Sequence, residues 1–233
     1  MKGITFNSKH SYTDFKLIMN YKTISTPSKK KIKDSAPGMN SVYDFSTIAS
    51  NGELIYNQRT IKVGFTLVSY NKAKLHSDLT KIVEWLQDMP QTQLIFDDIK
   101  SYYYVAEVED DIEIKESGHI AEIEVVFIAE PFKTSINLVN SDIWDTFNFE
   151  EDVVQDMSFN IVGAKTVSVY NAGRLITPII NSSAAMTVTM GSKTYNLGIG
   201  DNKIYGLKLQ NGYNSITING TGLVEFLFRK VVL

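Results

Sequence analysis

The chain has 233 residues, no cysteine and a formal charge of −3. Its length allows one large or two modest domains, and 43% apolar with 21% charged residues excludes wholesale disorder. The missing thiols exclude a disulfide framework, a thiolate metal site and a cysteine nucleophile, and mild acidity argues against a broad duplex-binding surface, which needs many cations.

Twelve Tyr and twelve Phe against five Pro favour sheet over helix. Met1–His10 lacks the apolar core of a secretory signal. Residues 21–57 carry no long apolar period, and Thr26-Pro-Ser-Lys-Lys-Lys-Ile-Lys33 is polar and basic. This stretch reads as a surface loop or edge hairpin, or as a projecting element that meets a neighbouring subunit through Lys29, Lys30, Lys31 and Lys33. No aromatic residue is interleaved in the run to stack bases, so nucleic-acid binding has little support.

Arg59–Val68 alternates as a strand, with Ile61, Val63, Phe65 and Leu67 on one face. Leu75, Leu79, Ile82, Val83 and Leu86 share a helical face. With Asn71 as cap and Pro90 beyond, they predict one helix at 72–89. Thr92–Asp97 reads as a short strand. Tyr102–Ile114 and Ile120–Phe127 read as a long hairpin turning at Ser117-Gly118. Glu107, Glu109, Asp111 and Glu113 share one parity of its first strand, with Asp110 as an exception, and Glu122 and Glu124 lie on the return strand. A turn at 117–118 sets Glu113 across from Glu122 and Asp111 across from Glu124, and like charges directly opposed destabilise a ladder. The result is either a solvated acidic face or a surface kept negative so that passing DNA does not stick.

Glu130-Pro131-Phe132 breaks the pattern, which predicts a boundary there, with domains at 1–132 and 133–233. Residues 1–132 carry 15 Lys and Arg against 18 Asp and Glu, while 133–233 carry 8 of each. The second part alternates short apolar runs, Thr166–Tyr170, Met186–Met190, Ile204–Leu209, Ser215–Ile218 and Val224–Phe228, with turn pieces. Those pieces are Asn171-Ala-Gly173, Gly191-Ser192, Gly200-Asp201-Asn202, Asn211-Gly212 and Asn219-Gly-Thr-Gly222. A β-sandwich of roughly 100 residues is expected. The fold class is therefore mainly β, an α+β first domain with one helix packed on a sheet, then a sandwich. Leu175–Ser192 is uncharged but broken by Pro178 and Asn181, so no membrane insertion is expected.

His10, His76 and His119 have no metal-ligand spacing, and no phosphate loop, dinucleotide fingerprint or nucleophile elbow occurs. Asp97-Asp98 fits a strand exit, and Gly198-Ile-Gly200 precedes no helix. Neither a cofactor, a metal nor an enzyme activity is expected.

Gly3-Ile-Thr-Phe-Asn-Ser-Lys-His-Ser-Tyr-Thr-Asp-Phe15 resembles the opening of the distal tail proteins (Dit) of siphophages and prophages. Arg59-Thr-Ile61, Trp85 within the helix, Tyr102-Tyr-Tyr104, Phe127–Lys133, Tyr170–Arg174 with Thr177-Pro-Ile179, and Gly212–Ile216 follow in the family's order. Ser8 stands where members often have Gly. The resemblance implies a virion structural protein that forms a homohexameric ring around a DNA channel, with a galectin-like second domain facing outward. It further implies tail tube, tail-tip and receptor-binding proteins as partners, assembly in the host cytoplasm, and the acidic hairpin as channel wall. The alternative is a carbohydrate-binding module using Tyr170, Tyr195, Tyr205 or Tyr213 of the second part.

Overall fold

Asn7 and Ser8 take φ of 46° and 59°, the positive pair of a two-residue hairpin turn, and join β1 (Ile4–Phe6) to β2 (Lys9–His10). Ser8 thus adopts the backbone a glycine would take more cheaply. This is the computed structural model of the chain, and it describes residues 2–48, 53–109, 111–139 and 155–233. Two compact units divide it, Met1–Lys133 with Leu233, and Thr134–Val232.

His10 caps the short α1 (Ser11–Phe15): its Nδ1 accepts from the backbone N–H of Tyr12 and Thr13, each at 3.2 Å. Those two bonds assign the neutral ring's proton to Nε2, which meets Asp97 Oδ2 at 3.0 Å. The same oxygen accepts the Gly3 N–H at 2.8 Å. One histidine thereby ties the helix start to the strand exit at Asp97.

The first unit continues through β3 (Ile18–Ile24), a small pair β4 (Lys33–Asp34) and β5 (Tyr43–Asp44), and then β6 (Arg59–Val68). α2 (Lys72–Gln87), β7 (Thr92–Phe96), β8 (Tyr102–Val108), β9 (Glu113–Ser117) and β10 (Ile120–Ser135) complete it. The antiparallel sheet runs β2-β1-β7-β8-β10-β6-β3, with β9 also on β10. It curls until distant strands meet: the Lys22 ammonium on β3 pairs with Asp98 just past β7 and sits 4.5 Å from the Phe96 ring centre. Inside lie Ile61, Val63, Phe65 and Leu67, the alternation read from the sequence, against Phe6, Phe96 and Phe127.

Asn71 caps α2 as expected, its Oδ1 accepting the Lys74 N–H at 2.8 Å. The buried face differs by one residue: Trp85 is buried with Leu75, Leu79, Ile82 and Leu86, while Val83 is half-exposed. The indole stacks on Phe15 with ring centres 4.4 Å apart, and its N–H donates to the Phe6 carbonyl at 2.9 Å. An aromatic with a satisfied polar edge outbids a valine for that groove.

Pro131 does not break its strand as expected. The β10 ladder to β6 ends at Ala129↔Arg59, so no β6 partner loses a donor at the proline. Its carbonyl accepts from the Arg59 guanidinium, which lies 5.2 Å over the Tyr104 ring. Burial pushes the Arg59 pKa down and the Tyr104 pKa up.

The second unit contains β11 (Ser158–Asn171), β12 (Ile179–Ser182), β13 (Met186–Met190), β14 (Lys193–Leu197), β15 (Gly200–Lys203), β16 (Gly212–Leu227) and β17 (Val231–Val232). β11 and β16 pair from Ser158↔Glu225 to Asn171↔Gly212. On its other edge β16 pairs β13 at 217–219 and β12 at 224–227. Between those partners β16 bends at Gly220 and Gly222, both at φ 151°. A Cβ at Gly220 would lie 2.4 Å from Met186 Cγ. The bend folds the sheet around one core that joins Val167, Val169, Ile216 and Ile218 to Ile161, Ile180, Val224 and Phe226.

Three expectations for this unit are corrected. Asn219–Gly222 is a bend inside one strand, so Ser215–Ile218 and Val224–Phe228 mark a single element. Gly200–Asn202 belongs to β15. Ile204–Leu209 is turn and bridge, with Leu207 and Leu209 buried and Leu209 hydrogen-bonded to Ile176. Leu197-Gly-Ile-Gly-Asp-Asn-Lys-Ile204 and Leu209-Gln-Asn-Gly-Tyr-Asn-Ser-Ile216 share one pattern, L-x-x-G-x-N-x-I. Asn202 and Asn214 close their turns alike: Oδ1 accepts the N–H four residues back, and Nδ2 donates to that residue's carbonyl and to a second one two residues back. Among the described residues, no helix is long and apolar enough to cross a membrane.

Candidate assembly surfaces

The acidic hairpin is real but set differently. The strand expected at 102–114 ends at Val108 and resumes at Glu113, so Glu109 and Asp111 lie in the connection, both exposed. Asp110 lies outside the described residues. The turn falls at Gly118-His119, with Ile120 facing Ser117 and Gly118 at φ 64°. Glycine supplies the positive φ there, and the register moves by two residues. Glu113 therefore faces Glu124, not Glu122, and Glu122 faces Lys115. Asp111 lies outside the ladder, so its expected pairing with Glu124 does not occur.

This register relieves much of the expected repulsion. Lys115 Nζ lies 3.0 Å from Glu113 Oε1, which raises the lysine's pKa. Tyr21 on β3 donates its hydroxyl to Glu124 Oε2 at 2.6 Å, and that bond raises the phenol's pKa. Tyr21 reaches the carboxylate because Gly64 on β6 has no side chain: a Cβ there would lie 2.2 Å from Tyr21 Cε1. Asn20, Tyr21, Glu113, Lys115, Glu122 and Glu124 surround a depression of about 230 Å³ on the outward face of the sheet. Glu107 is half-buried at the end of β8 on the same outward parity. Tyr21 and Gly64 were not singled out from the sequence, since only the β3-β6-β10 order brings them to Glu124. Lys115 carried a signal, the strand parity of Glu113.

Lys29, Lys30, Lys31 and Lys33 belong to an arm between β3 and β6. It starts as an antiparallel pair, with the Asn57 N–H bonded to the Ser28 carbonyl and the Lys30 N–H to the Ile55 carbonyl, both at 2.8 Å. It continues through Phe45 N–H to the Ile32 carbonyl at 2.8 Å and the β4-β5 pair. All four lysines are exposed, and Lys33 Nζ lies 3.8 Å from Asp44. Ser46 donates two hydrogen bonds to Asp44 and holds its pKa down, with Lys33 and Lys31 assisting. The sequence foresaw the basic run; it did not single out the exposed Ile32, Val42, Tyr43, Phe45 and Ile48 around it.

In the second unit Tyr213 is 81% and Tyr205 73% exposed, while Tyr170 and Tyr195 are half-buried. Tyr170 packs on Tyr213 with ring centres 4.8 Å apart, and Tyr195 packs on Gly206. Among the described residues, no group of three His, Asp or Glu side chains is placed to hold a metal ion.

Residues 15–129 match the family described as phage tail protein RIFT-related domain. Over 100% of both chains, the fold matches the crystal structure of the Dit protein of phage SPP1, with a TM-score of 0.71 and 12% identity. That protein is described as a paradigm of the hub adsorption apparatus in phages infecting Gram-positive bacteria. No curated protein sequence matches this one.

Proposed function

We propose that this chain, whose residues 15–129 match the phage tail protein RIFT-related domain family and whose fold matches a distal tail protein from end to end, forms a homohexameric ring joining the tail tube to the tail tip. The observation that carries this is the end-to-end match to a Dit hub protein, both units included and in order. As a phage tail protein it belongs to the virion tail. Its role is structural, without turnover, and assembly takes place in the host cytoplasm. Residues 1–132 build the ring and 133–233 dock tail-tip or receptor-binding proteins.

Within that ring, Glu107, Glu109, Asp111, Glu113, Glu122 and Glu124 face the DNA channel. A negative wall does not bind phosphate, and one lysine, Lys115, already engaged by Glu113, does not reverse its sign. Native mass spectrometry of the purified chain tests the ring. A species of six times the chain mass is expected, and a strictly monomeric chain at high concentration contradicts it. The triple variant Glu113→Lys/Glu122→Lys/Glu124→Lys tests the wall. The assembled variant retains DNA at low salt and loses it steeply as salt rises, while the wild-type assembly retains none. Equal retention by both removes the acidic face from the channel.

A further inference from the structure

The described residues of the arm, 28–48 and 53–57, include none that is buried. From Ser28 to Phe45 every described residue except Met39 is exposed, and the β4-β5 pair belongs to no larger sheet. A two-stranded hairpin alone is at best marginally stable in water. This one also displays Val42 at 52%, Tyr43 at 55% and Ile48 at 69% exposure, with Ile32 and Phe45 beside them. Tyr43 and Phe45 stack on each other, ring centres 6.0 Å apart and planes 25° apart. Side chains two apart on one strand share a face, so the pair forms a flat aromatic plate. Apolar surface gathered this way, with charge around it, marks an interaction site, and paired aromatics are typical of the centre of an interface.

The charge says what covers it. Residues 26–57 carry four Lys against Asp34, Asp44 and Glu53, whereas the remainder of 1–132 carries eleven Lys and Arg against fifteen Asp and Glu. A basic arm on an acidic body is complementary to another copy of the same body and repelled by another copy of the same arm. The contact it favours is therefore heterologous, arm to body, which closes into a ring when the rotation allows.

We infer that the Tyr43–Phe45 plate of the arm is the clasp of the assembly, buried against the first unit of a second copy of this chain, while Lys29, Lys30 and Lys31 steer the encounter. This rests on the ring proposed above and names the surface that builds it. The aromatic plate supplies affinity because it loses water on docking; the exposed lysines mainly supply encounter rate and salt dependence.

The test compares full-length wild type, Tyr43→Ser/Phe45→Ser and Lys29→Gln/Lys30→Gln/Lys31→Gln by native mass spectrometry and sedimentation over a concentration series. The aromatic variant keeps the wild-type unfolding curve, because both side chains are exposed in the single chain, and needs at least about tenfold more protein to assemble. The lysine variant still assembles but loses most of its salt dependence. Because the chain has no cysteine, Phe45→Cys adds a single thiol as a second readout. Maleimide labels it quickly in the monomer fraction and slowly in the assembled fraction. Assembly of the aromatic variant at wild-type concentrations, or equal labelling of the two fractions, overturns the clasp and leaves the ring standing. A wild-type chain that is monomeric throughout overturns both.

Discussion

Asn214 offers a sharp quantitative test of how the second unit holds its turns. The residue is 4% exposed. Its Oδ1 accepts the Gln210 N–H at 2.8 Å, and its Nδ2 donates to the carbonyls of Gln210 at 2.8 Å, Gly212 at 2.9 Å and Val169 at 3.3 Å. At about 1 kcal/mol net per good bond, Asn214→Ala costs about 3 kcal/mol. Asn214→Asp keeps the shape and the acceptor but turns three donor contacts into contacts between acceptors, and buries a charge. Near neutral pH it costs about 3–5 kcal/mol, more than alanine. The sign of its pH dependence follows. The carboxyl introduced there has a folded pKa above its unfolded value, so the charge penalty is full above the folded pKa, fades as pH falls through it, and is gone below the unfolded value of about 4. Hydrogen exchange of β11 and β16 amides reports this unit alone, and a 3 kcal/mol loss lowers global protection by about 100-fold. Loss of less than about threefold in the alanine variant, or an aspartate variant no worse than alanine near neutral pH, refutes the account.

Tyr21→Phe removes a phenol that the bond to Glu124 holds above the ordinary tyrosine value of about 10. Its stabilising contribution is present below the unfolded pKa and lost as pH rises through the folded one. The difference in phenolate absorbance between wild type and variant therefore rises later than for a free tyrosine, and a rise at or below about 10 contradicts the bond. Asp98 shows the opposite sign: the hydrogen bond from Lys22 holds its pKa below the ordinary carboxylate range. The stability gap between wild type and Lys22→Met is full above about 4 and closes as pH falls through the depressed value, read as urea midpoints against pH. Trp85→Phe leaves the buried Phe6 carbonyl without its indole donor and costs about 1–3 kcal/mol, while Trp85→Ala costs about 3–5 kcal/mol, both measured by urea unfolding.

Local pattern revealed the strongest elements. β6 occupies the expected residues because Ile61, Val63, Phe65 and Leu67 alternate with Lys62, Gly64 and Thr66, and Asn71 and Pro90 bracket α2 within two residues. Glycine misled in both units for one physical reason, since a positive φ serves a turn and a strand bend equally. Gly118 starts the hairpin turn one residue later than expected, which shifts Glu113 from Glu122 to Glu124. Gly220 and Gly222 bend a continuous strand where a turn was expected. Trp85 went unassigned to the core because its value lies in the Phe15 stack and the Phe6 carbonyl, both distant in sequence. The acidic residues were legible as a group, whereas Tyr21 and Gly64 needed the β3-β6-β10 order, which no local window contains. The lysines stood out as a run; the aromatic plate beside them emerged only once residues 32 and 45 were seen paired.

The central claim is a closed ring of this chain around an open passage. End-on electron micrographs of the purified assembly test it most directly. Six-fold averages with an empty centre are predicted. Open filaments, a two-fold dimer or a filled centre contradict it.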